Sequence, residues 1–338
     1  MAAGFKTATV RSGDVPATQT NFPSYVDLDR LGITTLAEAE SVRVYADSGK
    51  TTEWAREIVS ATEMHVKVPS LTSTVEIFVD WDGVRADYAV GATYGRNAVW
   101  TGYEGVYHLN EHATILNSTG NANGTGFNTT SGDVVDGPFG KAIELLTNGD
   151  YLSLPTAALT TFTLQFLYKK NGNPTSSNAG LERASSGFIQ MQITRFETNG
   201  KFGGEFRNGT SAQNFGIQSS NTDMGNNTWH WTHITVETGN QNLYNNGTNV
   251  GSTSTTHGAN SLAVPFFLNR TYDVSPRYAN ATYDEVRIRD SVISANWITT
   301  EYNNQNAEAT FWGTWTDAGG GGGGGAAQTA RRGVIMMM

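Results

Sequence analysis

The sequence predicts an all-β protein built from two β-sandwich domains. Its 338 residues suit two domains of ordinary size. Only 16% of the residues are charged, whereas Gly, Asn, Thr and Ser are abundant, and helices are built mainly from Ala, Leu, Glu, Lys and Arg. Short runs alternate apolar with polar residues between turn residues, which is the pattern of strands that place one face on a core.

The first series of alternating runs predicts a small β-sandwich over residues 1–98, acting as a connector domain. The runs fall at residues 24–28, 42–45, 64–68 and 74–81. Turn residues separate them, as at 47–49 and 82–83. A brief helical pattern is found only at residues 35–40.

A second series predicts a jelly roll over residues 99–310, because many short strands follow at regular spacing. Ser294 is placed to cap a short helix that carries Trp297, Ile298 and Tyr302 on one face. Residues 311–338 contain seven consecutive glycines, at 319–325. Glycine has the largest backbone entropy and no side chain to bury, so a disordered, flexible tail is expected there.

Several segments of the second series resemble one known family. Residues 137–142 read GPFGKA, 149–152 read GDYL, 228–252 read TWHWTHITVETGNQNLYNNGTNVGS and 283–297 read YDEVRIRDSVISANW. In this order they resemble the laminin-G-like, or concanavalin A-like, jelly-roll domain. The resemblance implies recognition or adhesion, often of carbohydrate, more than catalysis.

The first series resembles an uncharacterised β domain that often precedes such jelly rolls in bacterial surface and phage proteins. The matching segments are residues 20–23, 42–45 and the junction at 94–100. With no signal-peptide pattern at the start of the sequence, we expect a phage tail or virion component, or else a bacterial surface protein. The expected location is therefore extracellular or on a virion surface.

Charge and composition exclude several classes of partner. The formal net charge is −9, which argues against nucleic acid, because phosphate backbones are bound by Lys and Arg. No apolar run approaches the ~18 residues of a membrane helix, so no membrane insertion is expected. The chain has no cysteine, which excludes disulfides, thiolate metal sites and a Cys nucleophile.

Two motifs suggest enzymes, and both are weak. His108, Glu111 and His112 form an H-x-x-E-H sequence, which binds zinc when it lies on a helix. The residues on either side of the motif alternate between apolar and polar, as in strands. On a strand the two histidines would be about 13 Å apart, which is too far for both to bind one ion. Glycoside hydrolysis needs two carboxylates that flank the bond. Asp80 and Asp82 end a strand, and the adjacent Asp284 and Glu285 are expected on opposite faces. We therefore expect no catalysis.

Calcium is the expected cofactor, since jelly rolls of this kind often hold one ion with carboxylate and amide oxygens. If the first and last strands pair, Glu111 and Asp284 approach each other, and Asp136 and Asp150 lie in turn positions. The alternative is that Asp in turns caps its own backbone.

Polar loops on a rigid β scaffold are the expected ligand surface. The candidate ligand-binding residues there are Asn121, Asn123, Asn128, Asn226, Tyr244 and Asn246. Trp229 and Trp231 share a strand face, where core packing competes with sugar stacking.

The main hypothesis is a non-catalytic recognition protein that binds carbohydrate or a cell-surface receptor. Two alternatives stay open: a structural spacer or assembly protein of a virion or surface layer, and an accessory domain of a glycoside hydrolase. A homo-oligomer is possible in either setting, and a fibre-like protein would be a trimer.

Overall fold

The computed structural model describes residues 3–147, 149–172, 178–185, 188–196, 202–207, 213–218, 227–254, 263–270 and 278–319, and the strands between residues 178 and 218 are described by their backbone. It confirms an all-β protein with short helices. The helices are α1 (Leu36–Glu40), α2 (Arg96–Val99), α3 (Ala295–Asn306) and α4 (Glu308–Phe311). Ser294 caps α3 with its side chain, as predicted, and Thr35 caps α1 in the same way.

The first sandwich consists of a three-stranded and a five-stranded sheet. Its strands are β1 (Gly4–Thr9), β2 (Gln19–Asp27), β3 (Arg43–Tyr45), β4 (Glu53–Trp54), β5 (Arg56–Ile58), β6 (Glu63–Leu71) and β7 (Glu76–Trp81). One sheet has the order β2-β6-β5. The other has β1-β7-β3-β4, with the last strand of the chain, β24 (Thr316–Asp317), on its outer edge. All of these pairs are antiparallel.

The jelly roll consists of two larger antiparallel sheets. Its strands are β8 (Tyr103–Tyr107), β9 (Thr114–Ile115), β10 (Gly124–Phe127), β11 (Val134–Gly137), β12 (Gly140–Leu145), β13 (Tyr151–Leu154), β14 (Phe162–Lys170), β15 (Asn178–Ser185), β16 (Phe188–Phe196), β17 (Phe202–Arg207), β18 (Gln213–Gln218), β19 (Trp229–Glu237), β20 (Asn240–Asn245), β21 (Thr248–Thr253), β22 (Phe266–Leu268) and β23 (Ala281–Arg289). The outer sheet has the order β18-β17-β16-β15-β22-β13-β10-β9. The inner sheet has β11-β12-β23-β14-β19-β20-β21, and β8 also pairs with β23.

The inner sheet is covered on both faces. One face packs on the jelly-roll core, where Leu164, Phe166, Ile234 and Ile288 are buried. The other face meets α3 and the first sandwich, so nearly every residue of β14 is buried. A polar side chain on that face must find a partner inside the protein, because water does not reach it.

The tail begins later than the sequence predicts. We expected flexibility from residue 311, but Phe311 and Trp312 are fully buried in the core of the first sandwich. Thr316 and Asp317 then pair with Thr7 and Lys6 at the edge of its sheet. Burial of two large aromatic side chains outweighs the ordering entropy of this short segment. The glycine run, beyond its first residue, lies outside the described residues.

Candidate functional site

Three aromatic side chains lie side by side on the outward face of the outer sheet. They are Phe127 on β10, Tyr151 on β13 and Phe267 on β22. Leu152 and Leu154 point into the core, so strand alternation turns Tyr151 outward. Phe127 and Tyr151 are paired in register, and their rings stack at 4.4 Å with an angle of 5°. Tyr151 meets Phe267 edge-on at 6.1 Å.

A cation and two hydroxyl groups flank this strip of rings. The guanidinium carbon of Arg270 lies 4.4 Å from the centre of the Tyr151 ring. Thr125 and Ser153 are a cross-strand pair next to the rings. Thr125 is exposed and Ser153 is half-buried. We call these six residues the aromatic strip: Thr125, Phe127, Tyr151, Ser153, Phe267 and Arg270.

The strip has the chemistry of a ligand-binding surface. Phe127 keeps 39% of its surface exposed, in a sheet whose other face is a buried apolar core. Aromatic faces stack on apolar faces of ligands, while hydroxyl and guanidinium groups hydrogen-bond to polar substituents. Sugar rings present both kinds of surface. None of the six side chains is a carboxylate, so the strip as described has no acid–base pair.

One of the predicted ligand residues borders the strip. Asn128 follows Phe127, is exposed, and adopts a left-handed backbone conformation with φ 55°. Its amide donates to the Gly149 carbonyl at 3.0 Å, which ties the end of β10 to the turn before β13. Asn121 and Asn123 are exposed, but their side chains bond to the Glu104 carbonyl and to the Asn117 N–H. These two residues shape their own loop.

The other predicted ligand residues are placed elsewhere. Tyr244 is buried and packs with the core of the first sandwich, so it belongs to the domain junction. Asn246 is a turn residue with φ 49°, and its side chain accepts from the Trp231 N–H. Asn226 lies outside the described residues. Trp231 is also a junction residue, packed with Tyr25 and Phe139.

The four predicted metal ligands do not converge within the part of the chain that the structure describes. Asp136 is exposed and accepts a hydrogen bond from Lys141, and this bond together with the lysine charge lowers the pKa of the carboxyl. Asp150 caps the turn at Thr147, which is the ordinary behaviour of Asp in turns. Glu111 is half-buried beside a cavity of about 110 Å³. Asp284 is fully buried and accepts from the Phe139 N–H. Strands β8 and β23 do pair, as expected.

The prediction that Asp284 and Glu285 point to opposite faces was wrong. The register of β14 and β23 shifts at this point, and Glu285 has a φ of 49°. Such a β-bulge breaks the alternation of the strand and re-aims its side chains. Both carboxylates are buried. Burial raises the pKa of nearby Glu63, and the charges of Glu285 and Asp284 raise it further, against the opposing effect of His108.

The H-x-x-E-H segment is not helical. Residues 108–111 form no helix, and His108 is the buried member of the motif at the junction, while Glu111 lines a cavity beside it. Nε2 of His108 lies 3.1 Å from Oε2 of Glu57 on the first sandwich, and Nδ1 contacts Glu285. Burial opposes protonation of His108, but Glu285 and Glu57 outweigh it and raise its pKa well above the usual value.

Sequence reasoning missed most of this polar junction. Glu57, Glu63 and His65 come from the first sandwich, whereas Arg287 and Glu301 come from β23 and α3. Arg287 bonds to Glu285 and Glu301, and His233 bonds to Glu301 at 3.0 Å. The sequence of β23 held one signal of this junction. Charged residues occur there at consecutive positions of a strand that also carries core residues, which indicates buried charges that need partners.

Comparison with known proteins agrees with the fold. Residues 146–299 match the family model described as the concanavalin A-like lectin/glucanases superfamily. The receptor binding domain of botulinum neurotoxin C/D mosaic serotype superposes with a TM-score of 0.50 at 12% identity, covering 61% of this chain and 52% of that one. No curated protein sequence matches.

Two other solved structures have lower scores. The binding domain of Paraclostridial Mosquitocidal Protein 1 has a TM-score of 0.48 at 16% identity, with 60% and 52% coverage. Trypanosoma rangeli sialidase has 0.47 at 13% identity, with 66% and 34% coverage. This chain thus spans about half the length of the toxin domains and about a third of the sialidase. Among the described residues, no helix has the length and apolarity needed to cross a membrane.

Proposed function

Because residues 146–299 form a domain of the concanavalin A-like lectin/glucanase superfamily, we propose that this protein is a non-catalytic recognition protein that binds carbohydrate through the aromatic strip. One observation carries the proposal: the exposed Phe127 ring stacks on Tyr151 and continues to Phe267 and Arg270. Single exposed apolar residues need no explanation, but an exposed ring stacked on a second ring beside a cation forms a grouped surface that a ligand can cover.

The chemistry of the strip narrows the ligand class. The Phe127 and Tyr151 rings offer apolar stacking surface, backed by the buried Phe267. Arg270 offers a positive charge beside them, which suits a sugar that carries a carboxylate or sulfate. The hydroxyl groups of Thr125 and Ser153 are available for neutral hydroxyl groups of the same ligand. The proposed setting is a virion or bacterial surface, with the first sandwich connecting the jelly roll to the rest of the assembly.

A glycan array probed with the full chain tests the proposal. We expect binding to a defined class of sugars, with acidic glycans above neutral ones. Absence of binding to every glycan on the array would favour the structural-spacer alternative. Analytical ultracentrifugation would then determine the oligomeric state of that spacer. Release of sugars from a polysaccharide panel would contradict the non-catalytic role.

Calcium remains a separate expectation, and the same array tests it. Repeating the array in EDTA removes any calcium. A loss of binding in EDTA that calcium chloride restores and zinc chloride does not would make calcium part of the ligand site, whereas unchanged binding would show that recognition does not need calcium.

A further inference from the structure

Four potential metal ligands meet where the two sandwiches join. Glu63 and His65 lie on β6 of the first sandwich, His108 follows β8, and Glu285 lies on β23. One ligand atom from each of these residues lies within 4.8 Å of the other three. The exposed fractions of the four residues range from 0 to 7%. We call these residues the junction cluster.

The atoms that meet are the ones that coordinate metals. Oε1 of Glu63 lies 3.1 Å from Nε2 of His65 and 3.6 Å from Nδ1 of His108. Nδ1 of His108 also contacts Oε1 of Glu285. Two imidazole nitrogens and two carboxylate oxygens make a four-ligand set of the kind that tetrahedral zinc accepts. Hard calcium sites use oxygen ligands only.

The side chains that surround the junction cluster are of the kind that orient metal ligands in proteins. The second nitrogen of His108 bonds to Glu57, which leaves Nδ1 directed at the cluster. A ligating histidine usually has such a carboxylate on its other nitrogen. Glu57 is itself held by the Trp100 indole N–H and the Ser118 hydroxyl, each at 2.5 Å. Arg287 holds the second oxygen of Glu285.

Charge also favours a cation at this place. Five buried carboxylates line this part of the junction: Glu57, Glu63, Asp284, Glu285 and Glu301. Among the described side chains that they contact, Arg287 is the one permanent cation. With His108 neutral, as metal ligation requires, Arg287 alone does not balance these carboxylates, and a divalent ion would offset the remaining negative charge. In addition, Oδ1 of buried Asp284 accepts no hydrogen bond within the part of the chain that the structure describes.

The backbone at Glu285 is consistent with a functional role. A glutamate at φ 49° is uncommon and costs conformational energy. The bulge turns the Glu285 carboxylate toward His108. In a strand with regular alternation, this side chain would point to the opposite face of the sheet.

We propose that Glu63, His65, His108 and Glu285 bind one divalent transition-metal ion of the zinc type, which joins the two sandwiches. The first sandwich supplies two ligands and the jelly roll supplies two, so the intact site exists only when the domains are docked. This site is independent of the carbohydrate surface on the outer sheet.

The test uses the untagged full chain, stripped with EDTA, dialysed, and titrated with zinc chloride. We expect one zinc per chain by elemental analysis and a rise in melting temperature of at least about 3 °C in excess zinc. Cobalt chloride should give the visible absorption bands of a four-coordinate ion. Wild-type protein that retains no stoichiometric zinc and gives no cobalt bands would overturn the proposal.

Two variants locate the site. His65→Phe keeps a ring of similar size against His108 but removes a ligand nitrogen, and it should lose stoichiometric zinc while keeping its circular dichroism. His112→Ala is the matched control, because His112 lies outside the cluster, and it should bind zinc like wild type. Loss of zinc in His112→Ala with retention in His65→Phe would contradict the assignment. If His65→Phe does not fold, the cobalt spectrum of the wild type decides.

Discussion

The side-chain amide of Asn304 bonds to both backbone groups of Tyr25. Its Oδ1 accepts from the Tyr25 N–H at 2.7 Å, and its Nδ2 donates to the Tyr25 carbonyl at 3.0 Å. Asn304 lies on α3, after the last strand of the jelly roll, and Tyr25 lies on β2 of the first sandwich. The same carbonyl accepts from the Trp312 indole N–H at 3.1 Å. The two sandwiches are therefore held by directional bonds as well as by apolar packing.

Replacing Asn304 should destabilise the docked domains. Asn304→Ala leaves two buried backbone groups without this partner, and we expect a loss of about 1–3 kcal/mol in the free energy of unfolding. Chemical denaturation measures it. The control is Asn296→Ala, an exposed residue of the same helix, which should change stability by less than about 0.5 kcal/mol. Equal stability of the two variants would show that the Asn304 bonds contribute nothing.

The segment after α4 should be essential for the first sandwich. Trp312 is fully buried in its core, so Trp312→Ala should cost about 3–5 kcal/mol through lost burial and a cavity. Thermal unfolding followed by tryptophan fluorescence checks the effect. Thr314→Ala changes an exposed neighbour and should be nearly neutral. A nearly neutral Trp312→Ala would restore the flexible tail that the sequence suggests from residue 311.

Glu308 should make stability fall as pH rises. Burial raises its pKa to about 7, although Arg30 bonds to it at 2.7 Å and opposes the shift. The folded state therefore holds this proton more tightly than the unfolded state does. Its contribution is fully present below about pH 4.5, and it is lost as the pH rises through about 7.

The Glu308→Gln variant isolates this effect. Glutamine keeps the shape of the side chain and does not titrate. Between pH 5 and pH 8, the variant should gain up to about 3 kcal/mol in the free energy of unfolding relative to wild type, as measured by urea denaturation at each pH. A difference between variant and wild type that stays constant over this range would refute the raised pKa of Glu308.

The sequence predicted the elements better than it predicted how they come together. The alternating runs and the cap at Ser294 are local signals, and the cap is present. The junction depends on residues far apart in the chain, such as Glu57 with His108 and Tyr25 with Asn304. No local pattern records those pairings. The bulge at Glu285 also defeats simple alternation, which is why the orientation of Asp284 and Glu285 was mispredicted.

The aromatic strip was missed for a related reason. Phe127, Tyr151 and Phe267 come from three strands that neighbour one another only in the folded sheet. Each one alone reads as an ordinary strand residue. The Asn-rich loop drew attention to Asn128, which borders the strip, while the other candidates that the structure describes serve loops, turns or the junction.

The most direct test of carbohydrate recognition compares two variants of the full chain on the glycan array. Phe127→Ala removes the most exposed ring of the strip. Leu146→Ala removes an exposed apolar side chain of the same domain, 42% exposed against 39% for Phe127. We predict that Phe127→Ala weakens binding at least about tenfold, or about 1.4 kcal/mol, while Leu146→Ala binds like wild type. Unchanged binding by Phe127→Ala to a glycan that the wild type recognises would contradict the proposed site.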